Sequence, residues 1–340
     1  MERRAEAPGL MDGLTADLGG PRTAGFLDKA RRAIDLAALA DSIRSDVAPA
    51  QPQGGRSFWP VDVRVKCLPL AKWYGLSDPQ LEEQLRDRLS FRRFVGLGLT
   101  ESTPDETTFV KFRGRLRETG HSWTLFDGVL KQLRAKDLVV EEGSLVDATI
   151  VQAPRGGKDK EGEPTRDRCA SYTKKHGRTY HGYKAHVNVS KDRIVTDYVF
   201  DTAKVHDSQH IDQLIEDEPC GGAVYADSAY MDKQRSAELA ERGVHDGIVQ
   251  RRVRGQDELT DAQKRHNRAC SKVRALVEHP FAWRDAMGYV KARYRGLQRY
   301  RGLQRNGLDL GLTALAYNIK RSLSLLGMSL SPPSPANPAP

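Results

Sequence analysis

Three acidic residues far apart in the chain carry the clearest chemical signal. Asp147 lies in SLVDATIVQ, Asp227 in AVYADSAY and Glu278 in SKVRALVEHPF. The first two segments are short, apolar and rich in β-branched residues, which predicts buried strands, and the third has helical spacing in a basic run. A carboxylate in a buried strand is costly unless a partner compensates its charge. The pattern therefore predicts a positively charged partner for these side chains.

A divalent cation shared by the three carboxylates would compensate their charge. Carboxylate oxygens suit Mg²⁺, and Mn²⁺ accepts them as well. The chain has 54 Lys and Arg against 45 Asp and Glu, a net charge of +9, so a phosphodiester is the natural substrate of such a site. The residues alone predict metal-dependent phosphodiester chemistry, with Asp147, Asp227 and Glu278 as the catalytic and metal-binding residues.

The positive charge is concentrated around Glu278. Residues 251–305 contain 15 Lys or Arg against 5 Asp or Glu. This distribution favours a polyanionic partner, although a solvated basic face would give the same pattern. The four cysteines are widely spaced without a CxxC pair, which disfavours a zinc module. With no apolar stretch near the ~20 residues of a membrane span and no signal peptide, we expect a cytoplasmic protein without a membrane partner.

The composition divides the chain into four segments. Residues 1–60 are rich in Ala, Gly and Pro and predict a flexible arm with one helix at about 26–43. Residues 61–136 have helical periodicity, with helix starts at Ser77-Asp78-Pro79 and again at residues 103–106. Residues 140–326 begin with β-type patterns, and the Pro- and Ser-rich residues 327–340 predict a disordered tail.

The helical segment is basic enough to suggest DNA binding. We expect its arginines and lysine to occupy exposed positions, with Lys111 and Arg113 among the residues that contact DNA. A helical cap packed on the second domain is an equally good explanation of the pattern, and the two roles are compatible. The basic residues concerned are Arg86, Arg88, Arg92, Arg93, Lys111, Arg113, Arg115 and Arg117.

The segment after residue 140 predicts an α/β fold. Its elements follow the order β-β-β-α-β-α-β-α, which implies a mixed five-stranded sheet flanked by helices. Asp147 would lie on the first strand and Asp227 on the fourth. If those strands are parallel neighbours at the sheet centre, the two carboxylates lie within reach of one ion.

Five ordered sequence blocks add a family resemblance to this interpretation. DATI, HGYKAH, TAKVHDSQ, YADSAY and KVRALVEHPF, the last followed by GYVKARYRGLQRN, resemble the successive blocks of bacterial insertion-sequence DDE transposases, in the insertion sequence five family. The match spans roughly residues 60–325 with the correct order and spacing. Each block alone would be a weak signal, whereas five in sequence form a specific one.

The resemblance implies an RNase H-like catalytic domain behind a helical amino-terminal DNA-binding domain. It implies that Asp147, Asp227 and Glu278 hold two Mg²⁺ ions, or Mn²⁺ in their place, around a scissile phosphate. The partners would be double-stranded DNA at the element ends and the target, with a homodimer holding both ends, in the nucleoid of the bacterial cytoplasm. The further DNA-contacting residues would be Lys184, His186, Arg274, Arg284, Lys291, Arg293 and Arg295.

Several of these residues have a second explanation. Lys184 and His186 share one strand face, where a packed, hydrogen-bonded strand pair is an equal alternative. Asp227 followed by Ser228 is also typical of a helix cap. Glu278 alone would suit a surface ion pair, and its assignment depends on Arg274 four residues earlier on the same helical face.

The sequence departs from the family pattern at two positions on that basic helix. Asp285 stands where related enzymes carry a basic residue, with Arg284 one place early, and Ser271 stands where they carry a tyrosine. RYRGLQ is also duplicated at residues 293–298 and 299–304, and we expect the second copy to be looped out. These departures cast doubt on the DNA contacts of this helix more than on the metal site.

The function predicted is that of an active transposase that binds terminal inverted repeats, hydrolyses phosphodiesters with Mg²⁺ and transfers the strands to a new site by a cut-and-paste route. A catalytically inactive DNA-binding protein descended from such an enzyme is the alternative, motivated by the duplication and the displaced basic residue. A repair or RNA-directed nuclease on the same fold is less favoured, because the helical segment contains no sign of an RNA-stacking surface.

Overall fold

The computed structural model describes the chain from Gly25 to Met328 with internal gaps. The described residues divide into two compact units, one reaching Lys136 and resuming at Gly311, the other running from Asp137 to Leu310. None of the described helices is long and apolar enough to cross a membrane. The described residues are 25–48, 58–153, 156–158, 160, 161, 167, 169–175, 177–286 and 302–328.

The first unit is helical. The turn signals of the sequence begin two of its helices: Ser77 and Gln80 form a capping box, and the Asp105 side chain accepts from the Thr108 amide at 2.8 Å. The helices are α1 (Phe26–Ala33), α2 (Leu36–Val47), α3 (Val61–Tyr74), α4 (Asp78–Asp87), α5 (Leu89–Val95), α6 (Glu106–Thr119), α7 (His121–Arg134) and the part of α12 (Leu303–Leu325) from Gly311 onward.

The single helix predicted at about 26–43 is two helices. Asp35 separates them, because its carboxylate accepts from the amides of Ala37 and Ala38 at 3.0 Å each and so caps α2. The duplicated segment was also predicted incorrectly in part. Leu303 opens α12, so residues 303 and 304 of the second copy are helical rather than looped out, while residues 287–301 lie outside the described part of the chain, as does the tail from residue 329.

Two arginines of the helical unit that we expected at exposed positions are structural instead. Arg92 is 6% exposed and donates to the carbonyls of Leu85, Gly98 and Glu101, which joins α5 to the loop that follows it. Arg113 forms a two-pronged ion pair with Asp78 that ties α6 to the start of α4, with one contact of 2.8 Å. Lys111, by contrast, is exposed as predicted.

The second unit is built on a mixed sheet flanked by helices, as predicted, with six strands rather than five. β3 pairs antiparallel with β1, β2 and β4, whereas β1–β5 and β5–β6 are parallel, and the sheet path runs β2-β3-β1-β5-β6 with β4 beside β3. The strands are β1 (Ser144–Gln152), β2 (Ser171–Lys175), β3 (Arg178–Val189), β4 (Val195–Thr202), β5 (Ala223–Tyr225) and β6 (His245–Asp246).

Helices and short 3-10 turns cover both faces of the sheet. One face packs Val146 and Val224 against Ile211 and Leu239, and the other packs Tyr183 and its neighbours against Leu310. Burial of these apolar faces is what fixes the strand register, since a slip of one residue would turn each face outward. The helices are α8 (Ile211–Leu214), α9 (Lys233–Glu241), α10 (Asp261–Arg274) and α11 (Glu278–Ala286), with 3-10 turns at Asp207–Gln209, Ser228–Tyr230 and Ala275–Val277.

Candidate active site

Asp147 and Asp227 lie on neighbouring parallel strands. In the register of β1 and β5, Leu145 pairs with Tyr225, and each aspartate follows its paired residue by two positions. Because side chains alternate along a strand, Asp147 lies on the same face as Leu145 and Tyr225. Asp227 comes directly after the end of β5. The parallel pairing of β1 and β5, which the sequence analysis considered as a condition, therefore places the two carboxylates near one another at the sheet centre.

The Asp227 side chain also caps the turn that follows it. Its Oδ1 accepts from the Ala229 amide at 2.7 Å, at the start of the 3-10 turn Ser228–Tyr230. The capping role that the sequence left open is thus present. It uses one carboxylate oxygen, so capping and metal binding do not exclude each other.

Glu278 reaches the site from a helical segment that is not one continuous α-helix. Arg274 ends α10, the 3-10 turn Ala275–Val277 follows, and Glu278 opens α11 with an exposed side chain. Val277 is fully buried and anchors this turn, which packs against β1. The helical spacing in the sequence identified the segment, but the break between Arg274 and Glu278 was not predicted.

Arg274 lies against the Asp147 carboxylate. Its Nη1 is 3.4 Å from Asp147 Oδ2, while Asp147 Oδ1 accepts from the Ala148 amide at 2.7 Å. The sequence predicted Arg274 as a DNA contact, whereas here its guanidinium is directed at a carboxylate of the candidate site. About a third of the Arg274 side chain, 30%, remains exposed.

Burial and like charges together raise the pKa of Asp147. The carboxylate is only 16% exposed, and its desolvation raises the pKa to about 6, while the Ala148 amide and the Arg274 charge act in the opposite direction. The charges of Asp227 and Glu278 act in the same direction as burial, and the value of about 6 includes all of these effects. The three carboxylates are therefore close enough to interact electrostatically, which is the condition that a bound cation would relieve.

The donor chemistry fits a divalent cation, although the side chains are not arranged around one. Among the residues that the structure describes, no three His, Cys, Asp or Glu side chains form a group that could hold a metal ion. The Ala148 and Ala229 amides and Arg274 occupy carboxylate oxygens of Asp147 and Asp227 in this conformation. Oxygen-only donors with concentrated negative charge nevertheless match the preference of Mg²⁺ or Mn²⁺.

Lys184 and His186 lie on the opposite face of the sheet from Asp147. In the β1–β3 register, His186 pairs with Ala148 and Lys184 with Ile150. Ala148 and Ile150 lie on the face of β1 opposite Asp147, so His186 and Lys184 lie on that opposite face as well. Lys184 Nζ lies 2.8 Å from Asp207 Oδ1 and donates to the Val205 carbonyl at 2.8 Å. This arrangement fits the alternative of a packed, hydrogen-bonded strand pair for Lys184.

His186 is fully buried, so it does not offer a surface to DNA either. Its ring lies 4.8 Å from that of His210, and burial lowers the pKa of His186 to about 4. His210 in turn contacts Asp201 Oδ2 through Nε2 at 3.1 Å. His206, expected near a helix start, has its Nδ1 accept from the Ser208 amide at 3.3 Å and so caps its own turn.

Tyr230 is a residue near the site that the sequence did not single out. It is 1% exposed within the apolar cluster of α8 and α9, and burial raises the pKa of its phenol, with the charges of Asp207, Asp147 and Asp227 acting in the same direction. The only sequence signal was its place three residues after Asp227 in YADSAY. The phenol therefore stays protonated and can act only as a neutral group.

The remaining predicted DNA contacts lie outside the described side chains. Arg284 belongs to α11, but its side chain is not described, and Lys291, Arg293 and Arg295 fall within residues 287–301, which are outside the described part of the chain.

Comparison with known proteins gives two family matches and one structural likeness. A family model described as Transposase DDE domain matches residues 140–319, more than half of the chain, and one described as Transposase domain (DUF772) matches residues 20–115. A piggyBac transposase in a synaptic complex with hairpin DNA has a TM-score of 0.45 and 9% identity, covering 88% of this chain and 74% of that chain. A likeness at that level assigns no function by itself.

Proposed function

The chain belongs to the DDE transposases, and from that premise we propose that it mobilises an insertion sequence by a cut-and-paste route. It binds the terminal inverted repeats of its element, hydrolyses phosphodiesters there with Mg²⁺ and joins the freed 3′-hydroxyls to target DNA. The five sequence blocks support placing it in the insertion sequence five branch. The RNase H-like sheet of residues 140–326 is the catalytic domain in this proposal.

The observation that carries the proposal is the convergence of Asp147, Asp227 and Glu278: β1 and β5 are parallel neighbours, and Arg274, four residues before Glu278, contacts Asp147. The three carboxylates come from a strand, a strand end and a helix start, and the charges of Asp227 and Glu278 both raise the pKa of Asp147. We propose that these three side chains hold two Mg²⁺ ions. Bound metal would supply Lewis acidity to the phosphate oxygens and acidify a water or 3′-hydroxyl.

The protonation state of Asp147 suits that role at neutral pH. With its pKa at about 6, Asp147 is mainly ionised at pH 7 and available as a ligand. Arg274 holds the carboxylate from one side. In the proposal Arg274 positions Asp147 and contacts a DNA phosphate with its exposed part.

An exposed basic face of α10 supports DNA binding beside the site. Arg265, Arg268 and Lys272 are all exposed and recur three and four residues apart, so they share one helical face, while Arg274 lies on the other side of the helix. This spacing gives a row of cations that suits a phosphate backbone. The helical segment 61–136 with Lys111 is the second DNA-binding surface in the proposal, and a homodimer holds the two element ends together in the nucleoid.

Cleavage of DNA that flanks the gene tests the proposal. A duplex carrying the imperfect inverted repeats near the gene is incubated with protein and Mg²⁺, and nicked products are measured. Asp147→Asn is expected to abolish cleavage and leave duplex binding nearly unchanged. Asp257→Asn, at an exposed position of the same unit, is the matched control and is expected to cleave like the wild type. Cleavage by Asp147→Asn at the wild-type rate would reject the assignment.

The catalytically inactive alternative remains the second candidate, because Asp285 stands at the position of the expected basic residue. It predicts that the wild-type protein shifts the end duplex in a gel but yields no metal-dependent product. The same cleavage assay therefore separates the two candidates.

A further inference from the structure

β2 and residues 178–182 of β3 form a two-stranded ribbon at one end of the sheet. The pairing of β3 with β1 ends at Gly182 and its pairing with β4 ends at Tyr183, whereas β2 stays paired with β3 as far as Arg178. A strand rises about 3.3 Å per residue, so the four residues from Gly182 back to Arg178 extend roughly 13 Å past the end of the β1 pairing.

The tip of the ribbon is exposed on both faces. Cross-strand partners share a face and successive pairs alternate, so Lys174 and Thr179 lie on one face and Lys175 and Arg178 on the other. All four residues are exposed. In the turn between the two strands, a methyl group added at Gly177 would meet no atom within 4 Å. The tip therefore adds little to the packed core of the sheet unit.

The exposed charge of the ribbon is positive and has no counter-charge. β2 and β3 contain no Asp or Glu, and Lys174, Lys175 and Arg178 form no ion pair or side-chain hydrogen bond with any residue that the structure describes. Lys175 also stands directly opposite Arg178 in the register, and like charges in such a pair are destabilising. A polyanion bound at the tip would relieve this repulsion.

The base of the ribbon is held in place by side chains. The ring of Tyr172 lies 4.7 Å from that of His181, its cross-strand partner, which is only 4% exposed. The Ser171 hydroxyl oxygen accepts from the Lys204 amide at 2.8 Å, which ties β2 to the segment after β4. The cations are therefore carried by an anchored pair of strands.

We propose that this ribbon enters the major groove of duplex DNA, with Lys174, Lys175 and Arg178 on phosphates of its two walls. The groove is about 12 Å wide and about 8.5 Å deep and accepts a two-stranded ribbon, so a ribbon of roughly 13 Å spans its depth. Because cations lie on both faces of the ribbon, they meet the phosphates on both sides of the groove. The identity of the duplex, an element end or target DNA, rests on the proposed function.

Fluorescence anisotropy with the full chain tests the proposal. The probes are two labelled duplexes of roughly 21 base pairs, or two turns of DNA, one with the inverted repeat that flanks the gene and one of unrelated sequence. Lys174→Gln, Lys175→Gln and Arg178→Gln should each weaken binding about fivefold at about 0.15 M salt, because each lost phosphate contact reduces the slope of log K against log salt by about 0.9. Both duplexes should be affected alike, since phosphate contacts contain no sequence information.

Two matched variants keep the result interpretable. Lys191→Gln removes the same charge at an exposed position in the turn between β3 and β4, at the other end of β3, and should bind both duplexes as the wild type does. Lys174→Arg keeps the charge and should retain wild-type binding. The substituted positions are exposed, and Arg178→Gln removes the like-charge pair with Lys175, so its Tm should not fall.

Either of two results in the binding assay would overturn the proposal: the three ribbon variants keep the wild-type affinity and salt slope, or Lys191→Gln weakens binding as much as they do. Lysines on an edge strand can also serve to block pairing with another chain. In that case the glutamine variants would self-associate in size-exclusion chromatography with unchanged DNA affinity, which would reject the proposal as well.

The same assays separate this proposal from the proposed function. If the wild type cleaves the end duplex and the ribbon variants bind both duplexes normally, the ribbon proposal alone fails. If the ribbon variants lose affinity as expected but the wild type yields no metal-dependent product, the ribbon proposal stands and the catalytic proposal fails.

Discussion

Glu218 is a buried carboxylate that joins the starts of β1 and β5, the two strands that lead to Asp147 and Asp227. Its Oε1 accepts from the amides of Gly143 at 2.7 Å and Ala223 at 3.1 Å, and its Oε2 accepts from the Ser144 hydroxyl at 2.5 Å. The side chain is 8% exposed. The spacing of the two candidate metal-binding strands therefore depends on an acid outside the site.

The cost of removing this acceptor follows from its three bonds. A hydrogen bond to a charged group contributes about 1.5–3 kcal/mol, and a buried donor left unsatisfied costs about 1–3 kcal/mol. Because the strand ends can partly relax toward water, we expect Glu218→Ala to lose about 4–6 kcal/mol rather than the full sum. Glu218→Gln keeps the Oε1 acceptor and turns an amide toward the Ser144 hydroxyl, so it should lose about 1–2 kcal/mol.

Differential scanning calorimetry resolves this change, because each kcal/mol shifts Tm by roughly 2–4 °C in a unit of this size. The transition of the sheet unit should fall by roughly 10–20 °C in Glu218→Ala and by a few degrees in Glu218→Gln. Glu216→Ala, at an exposed position in the same segment, is the control and should change stability by less than about 0.5 kcal/mol. If Glu218→Ala has the same Tm as Glu216→Ala, Glu218 does not hold the starts of β1 and β5 together.

Two further substitutions have measurable consequences. Burial raises the pKa of Asp147 to about 6, so the folded protein binds this proton more tightly than the unfolded chain does. The free energy of unfolding therefore falls by up to about 3 kcal/mol as pH rises from about 4 to above 6. Without metal, Asp147→Asn should accordingly have a higher Tm than the wild type at pH 7 and the same Tm near pH 4. An equal difference in Tm at both pH values would contradict this. A methyl group at Gly182 would overlap the Val151 carbonyl oxygen of β1, so Gly182→Ala should lower the free energy of unfolding by more than about 2 kcal/mol. A methyl group added at Gly157 would meet no atom within 4 Å, so Gly157→Ala should lower it by less than about 1 kcal/mol in the same calorimetric comparison.

Local signals in the sequence predicted much of the fold. The helix starts at residues 77–79 and 103–106 rely on capping within a few residues, and the structure forms both caps. The strand around Asp147 was predicted from its apolar run, and the order of strands and helices implied the mixed sheet in which β1 and β5 are parallel neighbours. These features depend on neighbours in the chain or on connection rules, which a single sequence contains.

Features that depend on distant partners were missed or misjudged. β2 has the sequence SYTKK, with two lysines and no apolar face, and it forms a strand only because β3 supplies its hydrogen bonds. Arg113 was expected to face DNA, but Asp78, 35 residues earlier, holds it. No local pattern tells a solvated arginine from one with a remote partner.

The candidate site shows the same division. The choice of Asp147, Asp227 and Glu278 stays a prediction. The sequence did not indicate that Arg274 would lie against Asp147 or that a 3-10 turn would separate Arg274 from Glu278. Lys184 and His186 were correctly assigned to one strand face. Their burial on the face opposite Asp147 depends on how the helices pack, which the alternation of residues along β3 does not specify.

The central claim is that Asp147, Asp227 and Glu278, distant in sequence, form one divalent-metal site. A titration of the protein with Mn²⁺, followed by the electron paramagnetic resonance signal of free Mn²⁺, tests it without relying on activity. Asp147→Asn, Asp227→Asn and Glu278→Gln should each weaken binding by at least about tenfold, while Asp257→Asn binds as the wild type does. Wild-type affinity in any of the three variants would contradict a shared site.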